Sequence, residues 1–554
     1  MRIINAIFVL FVGRLVGAGD VNLVCDEHDK HLILDLGDPY CTVTGFTVTH
    51  SQNVVLHNSW SGKNSVMFMK FYDSTLLYLP FHLFETFANL RTLDVSFTGI
   101  LELTRNTFSS ASNLTYLNLS YNNLTSLQTS VFIGANTLMR LDLSYNQISS
   151  LSENAFCGLH NLNKLQLGGN RLSELHKDIF KDNAFLESVN LEANELTYVE
   201  PEVFSRMRRI KEVILSNNQL LQVHPDTFTE AASLESLLLA RNKLYAFQLT
   251  NKSIVHQLQL DNNHLTNLTI NGTRFVRANN NNISAIFVQQ ASQLDTLELR
   301  GNNLSNIANI TSLSALLYLD LSYNPIGPLN ISTFDNLKRL RSLYLRHIGI
   351  RSLQFGMFSK QNYLEILDLS FNNLTSLNLD LFVPYLTNLK QFFIDGNALS
   401  ELHGNRSLSS TFPMLQKLGV SRNRFNCSYL HHLLIPPYLA ETVALHIEPD
   451  PSTEETPHIR DVSCLHPEPS NEKLQRSQDP LTRQLELLQS HAHNLELHLL
   501  FMKVFFYILG TMLLLCLVAM VALRYWKVRR SGRYERNSIV FKSDATMDTN
   551  LTLD

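Results

Sequence analysis

The 554-residue sequence has little imbalance of charge: 45 Lys and Arg stand against 49 Asp and Glu, a formal net charge of -4. That balance gives no electrostatic footprint for nucleic acid. It also has no G-x-S-x-G elbow, no H-E-x-x-H pair, no P-loop and no dinucleotide fingerprint, so catalysis and a bound cofactor find no support. His491, His493 and His498 lack acidic or cysteine partners at ligand spacing and read as polar surface residues, leaving no metal site. Cysteine is scarce, at six residues.

Leucine is plentiful, and it recurs in order. The stretch "NLTYLNLSYNNLTSL" (113–127) follows L-x-x-L-x-L-x-x-N-x-L with Asn122 in the ninth place. The pattern returns with Asn146, Asn170, Asn194, Asn218, Asn242, Asn263, Asn281, Asn302, Asn324, Asn372, Asn397 and Asn423 in that place. Weaker members centred on Ser74, Thr98 and Ile348 bring the total to 16 units. This is the signature of a leucine-rich repeat, in which a short strand and a return loop bury their apolar face only by stacking on neighbours. The fold expected is an α/β solenoid, a leucine-rich repeat horseshoe of about 16 repeats with disulfide-closed caps, followed by a juxtamembrane helix and one transmembrane helix. The ninth-place Asn belongs to the inside, because its amide both donates and accepts and so can satisfy backbone groups the turn leaves unpaired.

Spacing divides the array. From Ser74 to Asn242 every step is 24 residues, and Phe84, Phe108, Phe132, Phe156, Phe180, Phe204 and Phe228 keep the same phase, which predicts an aromatic spine. The next steps are 21, 18, 21 and 22 residues, and the Phe register lapses until Phe334, Phe358 and Phe382. Two regular arms joined by a thinner segment near residues 243–324 are therefore expected.

The flanks predict a surface protein. Residues 1–19 read as a signal peptide, 20–65 as an N-terminal cap, 66–425 as repeats and 426–475 as a C-terminal cap and spacer. Residues 476–503 follow as a short coiled coil, 504–523 as a transmembrane helix and 524–554 as a cytoplasmic tail. The span "VFFYILGTMLLLCLVAMVAL" is uncharged and long enough for a bilayer, and the basic residues after it place the tail inside by the positive-inside rule. A single-pass type I plasma-membrane protein with extracellular repeats results. Thirteen N-x-S/T acceptors agree with that side: Asn113, Asn118, Asn123, Asn251, Asn267, Asn271, Asn282, Asn303, Asn309, Asn330, Asn373, Asn405 and Asn426. Leu481, Leu485, Leu488, Ala492, Leu495 and Leu499 alternate steps of four and three after an Asp479–Pro480 helix start. That seam reads either as a pairing stalk for a homo- or heterodimer or as a single amphipathic helix on the bilayer.

Cys25 and Cys41 precede the first repeat while Cys427 and Cys464 follow the last, so pairing within each end is the simplest scheme. Cys157 reads as a buried free thiol or as an intermolecular bridge, and Cys516 as a packing residue of the span.

With catalysis unsupported, binding remains. Residues flanking the central leucine of each unit line the concave sheet, the preformed surface solenoids use for partners. On the first arm these include Lys70, Tyr72, Tyr116, Arg140, Lys164, Glu192 and Glu212. On the second they are Arg277, Glu298, Arg300, Tyr318, Tyr344 and Arg346, rich in the Tyr and Arg of interface hot spots.

The cap sequences "YCTVTGFTV" and "VMFMKFYDSTLLYLP", the 24-residue units, the contracted units around "VHQLQLDNNHLTNLTINGTRFVRANNNNI" and the closing "LGVSRNRFNCSYLHHLL" resemble the mosquito leucine-rich immune proteins, the LRIM family. With its membrane span the chain is similar to that family's transmembrane subgroup. The resemblance implies an innate immune role, in which secreted members pair through cysteines and coiled coils and stabilise a complement-like thioester protein. This sequence lacks the adjacent cysteine pair and the long coiled coil of those members, which detaches covalent heterodimer formation from the implication. Its anchor points to recognition of an extracellular protein ligand or complement-like protein at the cell surface. The competing class is a cell adhesion or guidance receptor.

Overall fold

Alternation along the three-residue core of each repeat sets the architecture of the computed structural model, which describes residues 40–49, 65–80, 82–204, 206–250, 255–448 and 457–465. The middle residue turns inward and its neighbours turn out, as strand geometry requires. Tyr116–Asn118 and Arg140–Asp142 thus bury only Leu117 and Leu141. Strands stack in parallel and in register, Leu117 on Leu141, Leu141 on Leu165 and Leu165 on Val189. Together they make one 18-stranded sheet. Its outer members are Tyr40–Thr44 in the N-terminal cap and Ala444–His446 after the last repeat, and those between correspond to the sequence units.

The ninth-place asparagines are 2–8% exposed wherever they are buried, and each bridges two units. Asn146 Nδ2 donates to the Leu119 and Leu143 carbonyls at 2.9 and 3.0 Å, while its Oδ1 accepts from the Leu124 amide at 3.0 Å. Asn170, Asn194, Asn218 and Asn242 repeat the arrangement. Where the pattern is weak, substitutes appear. Ser74 Oγ accepts from the Phe46 amide at 3.1 Å, and Thr98 Oγ1 donates to the Val95 carbonyl at 2.8 Å. Ile348 offers no polar group, and Asn372 Oδ1 accepts from the Ile348, Gly349 and Ile350 amides at 3.1, 3.0 and 3.1 Å.

The phenylalanine register forms the expected spine, with neighbouring ring centroids 5.2–6.4 Å apart from Phe84 to Phe228. It resumes at Phe334, Phe358 and Phe382 with 5.9 Å steps and extends one unit further, to Phe412 at 5.5 Å. In the gap, Asn267–Asn271 and Ala285–Gln289 pair as a separate parallel two-stranded sheet. An extended chain covers about 3.3 Å per residue against 1.5 Å for a helix, so the shortest units close their return path as strand.

The C-terminal end is closed as the cysteine segregation suggests. Cys427 and Cys464 are bridged with their Cα atoms 5.0 Å apart, tying the hairpin His458–Ser463 to the helix Cys427–Leu433. Cys41 is disulfide-bonded and fully buried; Cys25, its expected partner, lies outside the described residues. The signal peptide, Asn251, the Leu481–Leu499 seam, the 504–523 span with Cys516 and the tail also lie outside them. Among the described residues no helix is long and apolar enough to cross a membrane.

Replacing Asn146 by Ala leaves the buried Leu124 amide without its acceptor and takes one of two asparagine donors from each of the Leu119 and Leu143 carbonyls, a loss of about 3 kcal/mol. The expected result is amide exchange at Leu124 roughly 100-fold faster than in the parent. Protection left intact at Leu124 would refute the ladder as the source of that stability.

Candidate protein-binding face

The residues on either side of each central leucine form the open face of the large sheet. On the first arm its charges are partly neutralised within the fold: Lys70 lies 3.1 Å from Asp94. Asn118 sits half-buried on this face with its Oδ1 held by the Ser120 amide at 3.0 Å and hydroxyl at 2.8 Å, so a sugar carried there would stand over the first arm. No acceptor sequon falls on the corresponding strand positions of the second arm.

Register brings the second-arm candidates together. Glu298, Asp320, Tyr344 and Asp368 are successive neighbours across four strands. Tyr318 and Tyr344, both half-buried, bring their rings to 5.2 Å. Arg277 pairs with Glu298 at 3.1 Å and approaches Asp261 at 4.0 Å. The sequence treats Arg300 and Arg346 alike, but the fold separates them. Arg300 is exposed and lies over the Tyr323 ring at 4.6 Å. Arg346 pairs with Glu448, donates to the Tyr323 hydroxyl at 3.0 Å and covers the Phe371 ring at 4.1 Å. It ties the segment just past the last strand to the middle of the face and is not an open contact residue.

Backbone conformation makes this possible. Tyr323 and Phe371 precede a ladder asparagine and adopt φ of 58° and 53°. Gly396, at φ +62°, follows in the same row, and a Cβ there would come 2.7 Å from the Phe371 ring. The ring therefore rests on glycine and presents its other side to Arg346. Gly419 likewise leaves room for Asp395, whose Oδ2 would sit 1.9 Å from an added Cβ. Asp395 is fully buried, accepts from the Ser421 amide at 2.8 Å and hydroxyl at 2.6 Å, and lies 3.6 Å from His446.

Burial pushes the Asp320, Asp368 and Asp395 carboxyls above their ordinary values against hydrogen bonds from Ser322, Ser370 and Ser421. It raises Tyr318 and Tyr344 too, with acidic neighbours adding to the shift. Glu448 moves the other way, because its hydrogen bond to Arg346 outweighs burial. Asp320 and Asp368 were legible in "YLDLSYN" and "ILDLSFN", one place after the central leucine; Glu448, beyond the last ladder asparagine, carried no sequence signal.

Ten of the expected glycan acceptors are exposed, and Asn123, Asn282, Asn303 and Asn373 each directly follow a ladder asparagine. Asn271 departs from expectation: at 6% exposure it is buried in the short second sheet, where no glycan fits. Cys157 is a free, half-exposed thiol, raised by its hydrogen bond to Asp182 and by burial, which makes it a poor nucleophile. Glu153, His176 and Asp178 bring ligand atoms within 4.8 Å of one another. Lys181 already lies 3.5 Å from Glu153, and His176 Nδ1 accepts the Asp178 amide at 3.2 Å. The same turn recurs at His224 and Asp226 without a third group, so the trio reads as a turn closure.

The Leucine rich repeat family model matches residues 88–134, 122–172, 160–220, 185–244, 292–350 and 338–399, leaving 245–291 between them unmatched. The chain is a leucine-rich repeat protein. Over 140 residues it is 36% identical to Tsukushi of Gallus gallus, a match covering 24% of this chain and 37% of that protein. It spans less than half the length of the curated relatives it matches. Among solved structures it resembles a chain of the LRIM1/APL1C complex at TM-score 0.52 and 20% identity, over 93% of this chain and 83% of that one. It also resembles a chain of the Drosophila Toll–Spatzle complex at TM-score 0.54 and 20% identity, over 66% and 55%. Both likenesses are of fold.

Two outcomes follow from this geometry. Glu448 is held below its ordinary 4.5 in the folded state, so its contribution is present above that pH and is lost as pH falls through the depressed value. Glu448→Gln should lower thermal stability at neutral pH and narrow its difference from the parent on acidification below 4.5; a gap that widens there would contradict the pairing. Glycopeptide mapping of full-length protein expressed in insect cells should find Asn271 unoccupied while Asn123, Asn282, Asn303 and Asn373 carry sugar; occupancy at Asn271 would overturn its placement.

Proposed function

We propose that this chain is a single-pass cell-surface receptor or co-receptor that captures extracellular proteins on the open sheet of its second arm, in insect innate immunity. The observation that carries the reading is that face itself: a tyrosine pair among carboxylates and two exposed arginines, Arg277 and Arg300, on a preformed surface without an acceptor sequon. Tyr and Arg on a rigid sheet supply contact area at small ordering cost. The apolar span at 504–523 and its basic flank support the anchor. The cap and contracted units that resemble the mosquito immune proteins support the immune setting, as do two solved assemblies built on this fold, Toll–Spatzle and LRIM1/APL1C. A complement-like protein is the partner class the resemblance favours, with pairing through the juxtamembrane seam as a second contact.

A glycan wedge tests the face. Thr296→Asn with Glu298→Thr creates an acceptor on the second-arm strand Thr296–Glu298. Tagged full-length chain, with and without the wedge, is recovered from cells bathed in native extracellular fluid before and after microbial challenge, and its partners are identified by mass spectrometry. A complement-like protein or microbial component recovered by the parent and reduced at least tenfold by the wedge supports the proposal. Recovery only of the chain itself or of neighbouring cells' surface proteins would move the function to adhesion, and equal recovery by both forms would remove this face.

A further inference from the structure

We propose that the acidic row around Tyr344 seats a lysine or arginine side chain presented by the protein ligand; the inference rests on the second-arm face being the binding surface. Glu298, Asp320, Tyr344 and Asp368 occupy one row on four adjacent strands, and the base next along that row, Arg277, is spent on Glu298. Strands stand about 4.8 Å apart, so Asp320 and Asp368 flank Tyr344 on its two sides. Tyr318 widens the aromatic platform from the neighbouring row.

The arginines nearby are directed elsewhere. Arg277 is taken by Glu298, Arg300 lies on Tyr323, and Arg346 is taken by Glu448. Asp320 and Asp368 each hold Oδ1 on a serine amide at 2.8 Å, that of Ser322 and of Ser370, and form no ion pair among the described residues. Asp320 is 9% exposed, so its carboxylate is desolvated, and Arg300 acts on it only at a distance, without forming an ion pair. The equivalent Asp94 on the first arm is matched by Lys70 at 3.1 Å. Asp142, the first-arm residue in the same motif, likewise forms no ion pair among the described residues but stands between Asn118 and Gln166, whereas the second arm sets its two unpaired carboxylates on either side of a tyrosine.

An incoming ammonium or guanidinium completes that arrangement. It would lie over the tyrosine rings, attracted by their quadrupoles, with a carboxylate on either side, and partial burial strengthens both attractions. A metal ion suits the row less well, because acidic groups flanking a ring do not converge on one point as close coordination requires. An anionic or purely apolar ligand segment suits the two carboxylates beside Tyr344 less well.

The test uses full-length protein in detergent micelles and fluorescein-labelled hexa-arginine and hexa-glutamate peptides, read by anisotropy. The parent should bind hexa-arginine and not hexa-glutamate. Asp320→Asn with Asp368→Asn should weaken hexa-arginine binding at least tenfold, Tyr344→Leu several-fold, and Tyr344→Phe little. Glu187→Gln with Glu235→Gln, two acids on the first arm, should leave it unchanged. Circular dichroism melts establish that each variant is folded, and the conservative Tyr344→Phe keeps the platform testable if Tyr344→Leu is not. Hexa-arginine affinity that survives the double Asn variant, or falls equally with the first-arm pair, overturns the proposal. A native partner abolished by the glycan wedge but captured normally by the double Asn variant would keep the face and discard the cationic seat.

Discussion

The buried asparagine amide is the interaction on which the rest depends. A stack of three-residue strands leaves carbonyls and amides unpaired at every turn, and one side chain per unit with both a donor and an acceptor satisfies them across the boundary between units. Because the ladder fixes the turn, the residue before it is held at positive φ, as Tyr323 and Phe371 are. Those rings are then placed to receive Arg300 and Arg346. The charge layout of the open face follows from a hydrogen bond beneath it.

Much of this was legible in the sequence because it repeats. The ladder, the inward leucines and the Phe84–Phe228 spine each recur at a fixed interval, and recurrence separates signal from composition. What was not legible breaks the period. Glu448 meets Arg346 across 102 residues, from just beyond the strand that follows the last unit, and no local pattern announces it. Asn271 satisfies a glycan sequon in one dimension, yet the contracted unit that carries it closes as strand and buries it. Asp320 and Asp368 were visible as letters, but whether they were neutralised depended on where three arginines turned.

The two arms share a backbone and differ in what covers it. The first offers the Lys70–Asp94 pair and a sequon on its strand face at Asn118. The second offers tyrosines, a carboxylate row and a rim of sequons just outside the ladder at Asn282, Asn303 and Asn373. Sugars along such a rim would leave the sheet open while limiting approach from the side, restricting a partner to entry over the face.

The short second sheet has a thermodynamic consequence. In a linear array each unit is coupled only to its neighbours, and between Phe228 and Phe334 the aromatic coupling gives way to five backbone register pairs. The array is therefore two blocks joined by a link of a different kind, and melting can begin in one while the other stays intact. A ligand held near Tyr344 adds its binding free energy to the C-terminal block alone. Occupancy would then be readable as a splitting of one unfolding transition into two.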